Sequence, residues 1–76
     1  MLKSEEGIKK RKFRLTDREM EVLKLVVGGK NNVEIAKVLI ISVHTAKAHV
    51  CSILQKLHVP DRVQAAVKAV RENLVD

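Results

Sequence analysis

Aromatic residues are nearly missing from this 76-residue chain: Phe13 stands alone, with no tyrosine and no tryptophan. A core must therefore be built from Val, Leu, Ile and Ala. One proline and three glycines leave long uninterrupted segments, which favours a compact all-helical fold. Cys51 is the single cysteine, so an intrachain disulfide is excluded. A zinc site is not expected either. His44, His49 and Cys51 lie close in sequence, but zinc wants three or four convergent ligands and His49 points away from the other two on a helix. No apolar run approaches the roughly 20 residues of a membrane span. Met1-Leu2-Lys3-Ser4-Glu5-Glu6 has no signal-peptide core, so a reducing cytoplasm is the expected location. No nucleophile, base and orienting group are spaced for catalysis, and no glycine-rich phosphate loop is present. Neither an enzyme nor a cofactor is expected.

The most telling absence is of negative charge. Between Glu34 and Asp61 there is no acidic residue, yet Lys37, Lys47, Lys56 and all three histidines fall there. Net charge is +6. A surface cleared of carboxylates attracts polyanions. Lys9-Lys10-Arg11-Lys12 adds a basic run near the start. Residues 1–12 read as a flexible basic tail or linker, with a supplementary arm against phosphates as its functional reading. Residues 13–76 read as one domain, short enough to bury only about 60% of its unfolded surface.

Local signals divide that domain into four helices, at about 16–28, 32–39, 43–57 and 61–73. Thr16-Asp17-Arg18-Glu19 is a capping box, with Leu15 before it as a hydrophobic staple. Gly28-Gly29 ends the first helix. Asn31 or Asn32 caps a short second helix whose inward stripe is Ile35, Ala36 and Leu39. Ser42 caps the third, helped by Thr45. The link from Leu39 to Ser42 is too short for antiparallel packing, so the second and third helices should cross steeply as a helix-turn-helix. His58-Val59-Pro60 breaks the third helix. Asp61-Arg62-Val63-Gln64 reads as a second capping box. In the fourth helix Val63, Ala66, Val67, Val70 and Leu74 form the expected core stripe. Ala65 and Ala69 form a neighbouring small-residue strip that admits close approach of a symmetry mate.

The third helix has two faces. Val43, Ala46, Val50, Ile53, Leu54 and Leu57 recur at spacings of three and four and read as core. His44, Lys47, Ala48, Cys51 and Gln55 fall on the other side. That second face can hydrogen-bond, carry positive charge and touch methyl groups, which suits the floor of a DNA major groove. Lys47 can donate to guanine O6 and N7, and the Ala48 methyl can pack on a thymine methyl.

Leu15-Thr16-Asp17-Arg18-Glu19-Met20-Glu21-Val22-Leu23 resembles the opening of the LuxR/FixJ/NarL-type (GerE-like) helix-turn-helix domain. Asn32-Val33-Glu34-Ile35-Ala36, Ile41-Ser42, Thr45-Ala46-Lys47-Ala48-His49-Val50, Ile53-Leu54-Gln55-Lys56-Leu57 and Arg62-Val63-Gln64-Ala65-Ala66 keep that family's order and spacing. The resemblance implies a four-helix bacterial DNA-binding domain, acting as a transcription regulator or its output end. It places base contacts on Lys47, Ala48 and Cys51, and backbone contacts on Asn31, Asn32, Ser42, His44, Thr45 and Lys56. It implies double-stranded DNA as partner, a homodimer through the fourth helix (Ala65 and Ala69), and RNA polymerase as a further contact. Val33 stands where the family usually carries lysine, and Val43, Ala46 and Cys51 also depart from its pattern. A promoter-contacting sigma-factor module shares the Arg-Glu and Glu-Ile-Ala patterns, but the helix after Pro60 argues against it. A helical protein-interaction module is the alternative from another class.

Overall fold

The computed structural model describes residues 12–75. Among them four complete helices follow in order: α1 (Asp17–Val27), α2 (Asn32–Leu39), α3 (Val43–Leu57) and α4 (Arg62–Arg71). Each begins where a short polar side chain can take up an orphan N–H. Thr16, Asn31, Ser42 and Asp61 accept from the N–H of Glu19, Glu34, Thr45 and Gln64. Glu19 and Glu34 return the bond to the backbone N–H of Thr16 and Asn31, closing two capping boxes. Asp61 caps α4 by the single bond to Gln64, so the box expected there does not close and the second one belongs to Asn31 and Glu34.

The helices also share a way of stopping. After α1 the N–H of Lys30 reaches Leu25 O and that of Gly29 reaches Val26 O, a Schellman turn with Gly29 at φ 87°. His58 and Asn73 take the same left-handed position after α3 and α4. Ile40 takes it after α2, with φ 57°. A β-branched residue there is an outlier, because its Cβ crowds the following carbonyl.

The core is aliphatic: Leu15, Met20, Val22, Leu23, Val26, Ile35, Ala36, Ala46, Val50, Ile53, Leu57, Ala65, Ala69 and Leu74 are buried together. Leu15 and Met20, which flank the Thr16 cap, are both in it, as a staple requires. Helix α1 packs against α3 and α4, and α2 packs on α3. Helices α2 and α3 are bent by 109° across their short turn, the steep crossing expected of a helix-turn-helix. Among the described residues no single helix is long and apolar enough to cross a membrane.

The fourth helix is oriented differently from its sequence reading. Ala65, Ala69 and Leu74 face inward, whereas Val63, Val67 and Val70 are 66%, 44% and 58% exposed. Two apolar stripes run along α4, and the one with small residues is inside because α1 and α3 both press close to it. Val43, expected in the core, is also exposed: it occupies the first position of α3, ahead of the part the other helices cover. Of the expected basic tail, residues 1–11 lie outside the described residues. Lys12 is held by an ion pair to Glu72 at 3.0 Å, and its ammonium and that of Lys68 each stand 5.3 Å from the Phe13 ring centroid.

Candidate nucleic-acid interface

Helix α3 shows its carboxylate-free side to solvent. Ala46, Val50, Ile53 and Leu57 are buried, and His44, Lys47, Ala48, Cys51 and Gln55 are exposed. These five lie within about 100° of one another around a 3.6-residue helix, so they share one exposed side. His49 is half-buried on the flank.

A buried carboxylate holds α3 against α1. Glu19 Oε1 accepts from Lys56 Nζ at 2.7 Å, and Oε2 accepts from the Ser52 hydroxyl at 2.6 Å. The same Oε1 takes the Thr16 N–H at 2.9 Å, so the N-terminal cap of α1 and the last two turns of α3 converge on one group. Burial works against ionisation of Glu19. The hydrogen bonds from Lys56, Ser52 and the Thr16 backbone, with the charge of Lys56, outweigh it and hold the carboxyl below its ordinary range. Locking α3 from its flank fixes which side of the helix looks outward.

Lys56 therefore has a structural role beside its expected phosphate contact. Its ammonium donates to Glu19 and to the Arg14 carbonyl at 2.9 Å, and its third proton is left for an outside acceptor. Ala65 and Ala69 are corrected as contacts to a second copy, because both are buried in the chain's own core. The apolar surface that α4 offers outward is instead Val63, Val67 and Val70. With Val27, Ala66 and Arg71, Val67 and Val70 line a shallow groove.

The remaining expected backbone contacts gather at two helix N-termini. At α3 the Ser42 and Thr45 hydroxyls lie 2.9 Å apart, and the Thr45 N–H donates to Ser42 Oγ. One hydroxyl proton joins the pair, which leaves the other free to donate outward. Exposed His44 stands between them in sequence. At α2 Asn31 Oδ1 accepts the Glu34 N–H and Asn32 Oδ1 accepts from Arg62 Nη1 at 3.0 Å, so both carboxamides keep their N–H donors. The Arg62 fork also donates to Lys30 O at 2.8 Å, tying α4 to the turn before α2. Glu19, Ser52 and Arg62 position the interface from behind. Only the cap role of Glu19 was visible in the sequence, since the other bonds join residues 30 or more apart.

Comparison with known proteins agrees with this geometry. Residues 14–69 match the family described as bacterial regulatory proteins, luxR family. The transcriptional regulatory protein LiaR of Bacillus subtilis is 52% identical over 62 residues, covering 82% of this chain and 29% of that protein. An uncharacterized transcriptional regulatory protein of the same organism, YhcZ, is 50% identical over 66 residues, covering 87% of this chain and 31% of its own length. The response regulator protein VraR of Staphylococcus aureus is 49% identical over 61 residues, covering 80% and 29%. The chain thus spans less than a third of the length of these relatives. It belongs to the luxR family of bacterial regulatory proteins and carries the family's helix-turn-helix DNA-binding domain.

Proposed function

We propose that α3 enters the major groove of double-stranded DNA with Lys47, Ala48 and Cys51 toward the base edges, in a bacterial transcription regulator. The observation that carries this reading is the exposure of those three side chains on a helix surface with no carboxylate. A single Asp or Glu there would face the phosphate field and cost affinity; none occurs. The N-terminus of α3 supports a flanking phosphate contact. Its partial positive charge, the spare hydroxyl proton of the Ser42–Thr45 pair and the exposed His44 side chain are all gathered in the first turn of α3. Asn31 and Asn32 at the start of α2 stand to reach a second phosphate.

The exposed valines of α4 suit a second copy of the chain related by a two-fold axis. Two copies on one duplex would read paired half-sites, about one helical turn or a multiple of it apart. Contact with RNA polymerase and residence in the cytoplasm complete the picture for a regulator of transcription.

Selection of bound duplexes from a random pool tests this function. A recurring motif whose affinity falls linearly with log salt is the expected result. Equal recovery of all sequences, or no duplex bound at low salt, refutes sequence-specific recognition.

A further inference from the structure

The outward side of α3 is poor in hydrogen-bond acceptors as well as in negative charge, and this restricts which bases it can distinguish. We infer that the half-site is read through guanine acceptors and thymine methyl groups, and not through the amino groups of adenine or cytosine. The inference rests on the placement of α3 in the major groove argued above and specifies the chemistry of what is bound.

Cytosine N4 and adenine N6 present donors in the major groove, so direct readout of either needs an acceptor on the protein: a carboxylate, a carboxamide, a hydroxyl or a neutral imidazole. No carboxylate occurs between Glu34 and Asp61. The Ser42 and Thr45 hydroxyls are engaged with each other at the helix start, about 100° or more around the axis from the middle of the side that carries Lys47, Ala48 and Cys51. The His44 ring lies in the first turn, beside the phosphate-facing helix N-terminus. Gln55 is the one carboxamide on this side, and it stands about 12 Å along the axis from Lys47 at 1.5 Å per residue. The centre of the face is left with three groups. Lys47 brings donors alone, which find two adjacent acceptors on guanine (O6 and N7) but one on adenine or thymine. Ala48 brings a bare methyl. Cys51, exposed one turn further on and lying between Lys47 and Ala48 around the helix, adds a soft, weakly polar sulfur. Ala48 and Cys51 together make a small apolar strip beside a single cation. The thymine C5-methyl is the apolar feature that the major groove offers to such a strip.

The test uses a duplex taken from the random-pool selection and bound by the whole chain, altered one atom group at a time. Replacing thymine by deoxyuridine removes only the methyl. At one or more positions this should weaken binding about three- to fivefold, the worth of one buried carbon. Replacing guanine by 7-deazaguanine removes N7 and should weaken binding about tenfold at the position facing Lys47. Replacing adenine by purine, which lacks the N6 amine, should leave the affinity within about twofold. Ala48→Gly should lose little on the deoxyuridine duplex beyond what the wild-type chain has already lost there, so the two changes are non-additive. Specific binding that is indifferent to every thymine methyl, or that depends on the adenine amine, overturns this inference while leaving the DNA-binding function intact. Absence of saturable duplex binding overturns both.

Discussion

Lys56 Nζ lies 2.7 Å from Glu19 Oε1, joining the last turn of α3 to the first turn of α1 across 37 residues of sequence. Glu19 is the one buried charged residue among those described, and Lys56 is the cation that makes its burial tolerable. Removing Lys56 leaves a buried carboxylate uncompensated, and removing Glu19 takes the shared acceptor from Lys56, Ser52 and the Thr16 N–H. Glu19→Ala is expected to cost about 3 kcal/mol, a large share of the stability of so small a domain. Urea or thermal unfolding measures it. Lys56→Met should also destabilise the fold yet leave the salt dependence of DNA binding unchanged, since two of the three ammonium protons are held by Glu19 and the Arg14 carbonyl. A shallower salt slope for Lys56→Met would mean that the third proton reaches a phosphate.

The same carboxylate sets an acid limit. Its folded pKa is held below the ordinary 4.5, so the unfolded chain takes up the proton more readily than the folded one. The stabilisation is therefore complete above the unfolded value and is lost as pH falls through the lowered folded value. Unfolding free energies measured by urea between about pH 6 and pH 2 should decline more steeply for the wild-type chain than for Glu19→Gln, which has no proton to take up at that site. Parallel profiles would show that other carboxylates govern the acid transition.

These long-range bonds mark the boundary of what the sequence discloses. Caps and stops are local, so Thr16, Ser42 and Asp61 could be placed, and the four helices fall within two residues of their expected ends. The two faces of α3 were separable because one is continuously apolar and the other is not. Helix α4 was not separable in this way. Valines and alanines fill both of its stripes, periodicity alone scores them alike, and the decision belongs to how closely α1 and α3 approach. Ala65 and Ala69 go inside because nothing larger fits. The bond from Lys56 to Glu19 is hidden for a related reason: a lysine near a helix end looks solvated until a carboxylate from another helix is brought to it.

Ile40 caps α2 in the left-handed region with 89% of its surface exposed, so it has strain without compensating burial. Asparagine tolerates this backbone geometry far better. Ile40→Asn should stabilise the fold by about 1 kcal/mol and raise the melting temperature by roughly 5 °C. Calorimetry decides it. A loss of stability instead would mean that the isoleucine makes a contact in the folded chain worth more than its strain.

Lys47 and the Ser42–Thr45 pair should fail in different ways. Lys47→Ala removes a donor to base edges. It should weaken the selected duplex about five- to fiftyfold and unrelated duplexes far less, relaxing discrimination at one position. Thr45→Val removes one hydroxyl while keeping the side-chain shape. The Ser42 proton then has no internal acceptor to seek, the backbone cap survives, and a phosphate contact is altered rather than a base contact. Its effect should therefore be nearly the same on every sequence. Quantitative footprinting on both kinds of duplex separates the two. Equal losses for Lys47→Ala on all sequences would place that lysine on the backbone.

The outward valines of α4 carry the last prediction. Val63 and Val70 are more than half exposed, so glutamate at both positions costs the monomer little. Across a two-fold axis the same changes would set like charges against each other in an apolar contact, which is strongly unfavourable. Val63→Glu with Val70→Glu should therefore leave affinity for a single half-site within about twofold and reduce cooperative filling of two half-sites about tenfold or more. Mobility-shift titrations on one-site and two-site duplexes read both quantities. Substituting Ala65 or Ala69 cannot make this distinction, because a larger side chain there must first force α4 away from α1 and α3. If the double variant still fills two sites cooperatively, the copies meet through another surface and the valine stripe has a different occupant.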